Sequence, residues 1–113
     1  MIKIYHNNRC SKSRCGLDIL ENSGKKFEVV KYLEDTPNVE ELKHIISLLG
    51  ITPLELIRKG EAIWKENFKG KTLTDEELIS IMVNNPKLIE RPIIINGDKA
   101  VIGRPPEIVL SIL

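Results

Sequence analysis

The first 32 residues read as strand, helix, strand, and that order constrains the fold more than anything later in the chain. Met1 to Tyr5 is a short run rich in β-formers. The spacing predicts a helix over Ser11 to Asn22, with Leu17, Ile19 and Leu20 as its apolar positions and Ser23-Gly24 as its stop. Phe27-Glu28-Val29-Val30-Lys31-Tyr32 reads as a second strand. Two strands joined this closely by a helix form a βαβ unit, so they should be parallel with a right-handed crossover.

Thr36-Pro37-Asn38 then punctuates the chain, and Val39, Leu42, Ile45, Ile46 and Leu49 recur at helical spacing up to Gly50. Thr52-Pro53 opens a short helix through Ile57, with threonine as N-cap and proline in the first turn. Residues 59–72 are lysine-rich, broken by Gly60 and Gly70, and are expected to be irregular. Thr74 and Glu77 make a capping box for a helix that runs to Asn84 and stops before Pro86. Ile93-Ile94-Ile95 reads as a buried strand, Asn96-Gly97 as a two-residue hairpin turn and Ala100-Val101-Ile102 as the returning strand. Arg104-Pro105-Pro106-Glu107 opens a closing helix to Leu113. The order β-α-β, helices, β-β-α predicts an α/β, thioredoxin-like fold. Its βαβ and ββα halves would share one mixed sheet, with a helical insertion between them, in a single domain over residues 1–113.

The chain has 113 residues, enough to bury a core without staples. A formal net charge of +1 gives no bulk electrostatic reason to expect a nucleic-acid or membrane-surface partner. No apolar run approaches the roughly 20 residues of a membrane span, and Met1 to Tyr5 is too short for a signal peptide. Two cysteines without an export signal suggest a reducing, cytoplasmic setting, and a monomer is expected. There is no zinc-ligand spacing, glycine-rich phosphate loop or His-x-x-x-His pair, so neither a metal nor a bound cofactor is expected.

Chemistry centres on Cys10, in the run His6-Asn7-Asn8-Arg9-Cys10-Ser11-Lys12-Ser13-Arg14. A thiol between a strand and the start of a helix meets free backbone N–H groups and the positive end of the helix dipole. Arginines, a lysine and a histidine lie within four residues of it, which is the setting that favours a nucleophilic thiolate. A core cysteine keeps apolar company, and this one does not. Cys15 is a poor disulfide partner. Five residues of helix separate two side chains by about 7.5 Å along the axis, beyond the Cα separation of about 4.4–6.8 Å that a disulfide spans. With Leu17, Ile19 and Leu20 nearby, Cys15 is expected to be structural. His6 could stabilise the thiolate as a cation, or orient the loop as a neutral group through Asn8 or a backbone carbonyl.

Only five of the 17 cationic residues are arginines, and three of those stand at marked places. Arg58 ends a helix, while Arg91 and Arg104 each precede a proline, which restricts their backbone to extended conformations. Guanidinium forks bind tetrahedral oxyanions bidentately. Three such groups and an activated thiol suggest an anion pocket. Pro92 stands where thioredoxin-like folds place a cis-proline facing the catalytic cysteine.

These residues resemble the glutaredoxin-coupled arsenate reductases over essentially the whole chain. The resemblance rests on Ile4-Tyr5-His6-Asn7 with Cys10 and Ser13-Arg14, on Leu56-Ile57-Arg58-Lys59, on Ile89-Glu90-Arg91-Pro92-Ile93, and on Gly103-Arg104-Pro105 with Glu107-Ile108-Val109-Leu110. It implies that Cys10 attacks arsenate, that Arg58, Arg91 and Arg104 hold the oxyanion, and that His6 helps lower the thiol pKa. Glutathione would be the external reductant, and glutaredoxin would resolve the resulting mixed disulfide. Two departures stand out. Position 8 is asparagine where the family loop often has proline, and Leu113 follows the closing helix without the longer tail of some members. Two other readings share the fold: a glutathione-dependent thiol reductase with another substrate, and a regulator like the Spx-type proteins that bind RNA polymerase. The latter typically carry a CxxC switch, which Ser13 removes here.

Overall fold

The computed structural model describes residues 1–113, and its contacts divide into two compact units. The first comprises Met1–Asp35 with Arg91–Leu113, and the second is Thr36–Glu90. The second unit coincides with the helical insertion expected from the sequence.

The first unit is built on a four-stranded sheet of order β2-β1-β3-β4. Strands β1 (Ile2–Tyr5) and β2 (Phe27–Val30) are parallel, and helix α1 (Ser11–Asn22) connects them. Strand β3 (Ile93–Asn96) runs antiparallel to β1 with Ile4 opposite Ile94, and β4 (Lys99–Ile102) is its hairpin partner. This is a thioredoxin-like α/β fold. Because β1 is central, its side chains cannot alternate simply between core and solvent: Ile2, Ile4 and Tyr5 are all buried. Ile2, Ile4 and Ile94 pack with Leu20 of α1 and with Val109 and Ile112 of the closing segment into one apolar cluster.

That closing segment departs from the expected α-helix: Pro106–Ile112 is a 3₁₀ helix. Pro105 and Pro106 supply no amide donors at its start, and Ser111 Oγ donates back to Ile108 O at 2.6 Å. The hairpin turn is also displaced by one residue. Asn96 pairs with Lys99 inside the ladder, so Gly97 and Asp98 form the loop. Within that loop Gly97 adopts a positive φ, 65°, which its first loop position demands. Asn96 is held in the strand because its side-chain amide donates to Ile112 O at 2.6 Å.

The second unit is helical. Helix α2 (Val39–Leu49) is N-capped by Asn38, whose side chain accepts Glu41 N–H, and ends at Gly50 with φ 67°. Helix α3 (Pro53–Leu56) and helix α5 (Asp75–Asn84) start with full capping boxes, Thr52/Glu55 and Thr74/Glu77. Between them lies α4 (Ala62–Asn67), in the stretch expected to be irregular. Its signal was the pair Trp64 and Phe68, four residues apart with ring centroids at 5.8 Å, obscured by the surrounding lysines. An isolated antiparallel bridge joins Ile57 to Ile89, with Arg58 N–H donating to Leu88 O and Glu90 N–H to Leu56 O.

Candidate active site

After β1 the chain turns through His6 to Arg9 before entering α1. His6 N–H donates to Val30 O at 2.9 Å, which keeps the start of this loop on the sheet. Asn7 then shapes the turn: its carbonyl accepts Cys10 N–H at 3.1 Å and its side-chain oxygen accepts Arg9 N–H at 3.0 Å. Arg14 Nη1 donates to Asn8 O at 3.0 Å and ties the loop to the helix.

Cys10 is the N-cap of α1, in an extended conformation, and its carbonyl accepts Arg14 N–H. No side-chain hydrogen bond closes the cap. The sulfur instead lies where the unpaired amides of the first turn act on it. Burial pushes the thiol up, but the Ser13 N–H, the Arg91 guanidinium and the Lys12 N–H together outweigh it and bring the pKa from 9.0 to about 7. Arg104 adds a further contact, with Nη2 3.6 Å from Cys10 Sγ, while its Nε donates to Arg91 O at 2.8 Å. The two arginines therefore reach the sulfur as a linked pair.

The Arg91-Pro92 and Arg104-Pro105 bonds are both cis. Pro92 is packed between Gly16 and Gly103. A Cβ at Gly16 would sit 2.9 Å from Pro92 Cγ, and one at Gly103 would sit 2.8 Å from it. Only the unexplained glycine in the middle of α1 hinted at this.

His6 is buried, 6% exposed, and its Nδ1 lies 2.7 Å from Ser13 Oγ. Burial lowers its pKa, with the Arg14 and Lys31 cations adding to that and hydrogen bonding at Ser13 opposing it. His6 is therefore held neutral near pH 7. Of the roles left open for it, orientation as a neutral group fits, but its partner is Ser13, and the Asn8 carbonyl goes to Arg14 instead.

Cys15 is exposed, which corrects its expected structural place. The buried positions of α1 are Ser13, Gly16 and Leu20, spaced three and four apart, and Cys15 lies off that stripe. Arg58 belongs to the helical unit. Its Nε lies 3.7 Å from both Glu61 Oε1 and Glu90 Oε1, and its buried Nη1 has no hydrogen-bond partner. The first unit thus brings Cys10, His6, Ser13, Arg14, Arg91, Pro92 and Arg104 into one neighbourhood.

The ArsC family model matches residues 5–112. The chain belongs to the ArsC family. It is 48% identical to the uncharacterized protein YfgD of Escherichia coli K12, over 99% of this chain and 96% of that protein. It is 46% identical to an arsenate reductase of Haemophilus influenzae, over 97% of each. An arsenate reductase structure from Vibrio cholerae superposes with a TM-score of 0.94 at 47% identity, over 99% of this chain and 97% of that one.

Within this ArsC chain, no group of three His, Cys, Asp or Glu side chains could hold a metal ion, and no helix is long and apolar enough to cross a membrane. The Cys10 sulfur is flanked by the Arg91 and Arg104 guanidiniums. Such a site can attack an electrophilic centre whose negatively charged oxygens the forks bind.

Proposed function

We propose that the protein is an arsenate reductase in which Cys10 is the nucleophile. One observation carries the reading: in an ArsC-family chain, a thiol with a pKa of about 7 faces Arg91 and lies 3.6 Å from the Arg104 guanidinium. Arsenate offers an electrophilic arsenic(V) within a tetrahedron of oxygens. Arg91 and Arg104 neutralise the oxygens and hold the arsenic in line with the sulfur. The resemblance also assigns Arg58 to the oxyanion.

The Cys10 thiolate attacks arsenic; an S–As bond forms and an As–O bond breaks, the oxygen leaving as water after protonation. A glutathione thiolate then attacks the Cys10 sulfur. The S–S bond forms as the S–As bond breaks, and its electron pair stays on arsenic, which leaves as arsenite. Two sulfurs are oxidised and arsenic is reduced by two electrons. A glutaredoxin thiolate takes the glutathionyl group and returns Cys10 as a thiolate, with no resident cofactor. The reducing, cytoplasmic setting expected from the two cysteines would keep this cycle supplied.

Arsenite formation from arsenate, followed with glutathione and glutaredoxin together and with each left out, tests the reading. Turnover is expected only in the complete mixture. No arsenite above the protein-free rate would overturn the assignment, and full turnover without glutaredoxin would overturn the last step.

A further inference from the structure

We propose that the cavity lined by Asn7, Asn8, Lys31, Leu33 and Glu34 is a glutathione subsite, which takes the zwitterionic γ-glutamyl end of the tripeptide with Lys31 on its carboxylate and Glu34 on its ammonium. The inference rests on the proposed function only for glutathione as the second reactant. The cavity holds about 70 Å³. Pockets that enclose a whole small molecule run to about 300–1,000 Å³, so this one takes one end of a ligand.

The backbone places this cavity beside the nucleophile. Strand β2 ends next to the loop that carries Cys10, since His6 N–H donates to Val30 O at 2.9 Å. The chain then turns. Lys31 O accepts Glu34 N–H at 3.0 Å and Asp35 N–H at 2.8 Å, which brings Lys31 and Glu34 to the same cavity. On the facing wall, Asn7 O accepts Cys10 N–H at 3.1 Å. Asn8 stands two residues before Cys10, a span of about 7 Å at full extension. The γ-linked chain of glutathione bridges a distance of that order between its zwitterionic end and its cysteine.

The lining selects a zwitterion over a simple anion. Residues 1–17 contain no Asp or Glu, so the catalytic loop itself offers only cations and amides. Glu34 adds a carboxylate that would repel an oxyanion and accept from an ammonium. Lys31 and Glu34 line one cavity yet form no ion pair with each other, which leaves both charges for a ligand. The Asn7 side-chain oxygen accepts Arg9 N–H, so its NH₂ group is left to donate to a carboxylate. Leu33, half-buried, supplies an apolar wall for the methylenes of the glutamyl chain.

The measurement is thiol–disulfide exchange at Cys10 without arsenate, in a Cys15→Ser background so that one thiol is loaded. Cys10 is first converted to its mixed disulfide with thionitrobenzoate. A thiolate that attacks the Cys10 sulfur forms a new S–S bond, breaks the old one and releases the coloured thionitrobenzoate anion. Glutathione is compared with N-acetylcysteinylglycine, which has the same net charge, acylated cysteine and glycine but no zwitterionic end. The ratio of the two rates cancels any change in the reactivity of the sulfur. Below saturation the parent should favour glutathione about three- to tenfold, the size expected of two exposed ion pairs. Lys31→Gln and Glu34→Gln should each cut that preference by about half or more. A parental ratio near one, or a preference that either variant keeps in full, overturns the subsite whatever arsenite formation shows. A preference reduced in both variants upholds it even where no arsenite forms, so the two readings fail separately.

Discussion

Cys10 is held between opposing influences, since burial favours the thiol while two first-turn amides and Arg91 favour the thiolate. Because the folded pKa lies below the thiol's ordinary value, the folded state prefers the deprotonated form. That preference contributes stability which is fully present above pH 9 and is lost as the pH falls through about 7. The melting temperature of the parent relative to Cys10→Ser should therefore rise between pH 7 and pH 9; a flat difference would mean that the amides and Arg91 do not hold the thiolate. Arg104→Lys keeps the charge but cannot make both contacts, to Arg91 O and to the sulfur. Loss of a charged hydrogen bond worth about 1.5–3 kcal/mol should lower arsenite formation about tenfold or more. Cys10 and the pre-proline arginines were legible because polar neighbours and proline are local signals. The partner of His6 was not, because Ser13 is seven residues away and meets it only once α1 has formed.

The elements were legible wherever a cap or a period marks them. Thr74 with Glu77 started α5 as expected, and Thr74→Ala should cost about 1 kcal/mol in urea denaturation. Elements that depend on tertiary partners were read less well. The Trp64–Phe68 pair of α4 was hidden in lysine-rich sequence, and the hairpin loop moved by one residue because Asn96 binds the closing segment. Packing across elements was invisible in the sequence, as Gly103 shows. Its substitution by alanine would press a Cβ against the Pro92 ring at 2.8 Å, with Ile94 Cδ1 at 3.3 Å on the same side. Neither neighbour is the end of a long flexible chain, so Gly103→Ala should destabilise by about 1–3 kcal/mol. An unchanged denaturation midpoint would show that Pro92 can yield.

At the scale of the molecule, the order of strands and helices was enough to anticipate the mixed sheet and the helical segment between its halves. The second unit follows the helical insertion read from the order of elements, although no composition shift marks its boundaries. The proposed chemistry uses a single nucleophile, with Cys15 exposed on α1 and Ser13, where a CxxC partner would stand, buried against His6. In the proposed cycle both electrons come from external thiols. Cys15→Ser should turn over arsenate at the parental rate, and a loss of activity in that variant would make Cys15 a participant.

The most direct measurement is the rate of arsenite formation by the parent and by Cys10→Ser across pH 6 to 9, with glutathione and glutaredoxin in excess. The parent should gain activity through a midpoint near 7, following the Cys10 thiolate, and Cys10→Ser should show none. Arsenite formed by Cys10→Ser at the parental rate would contradict the account.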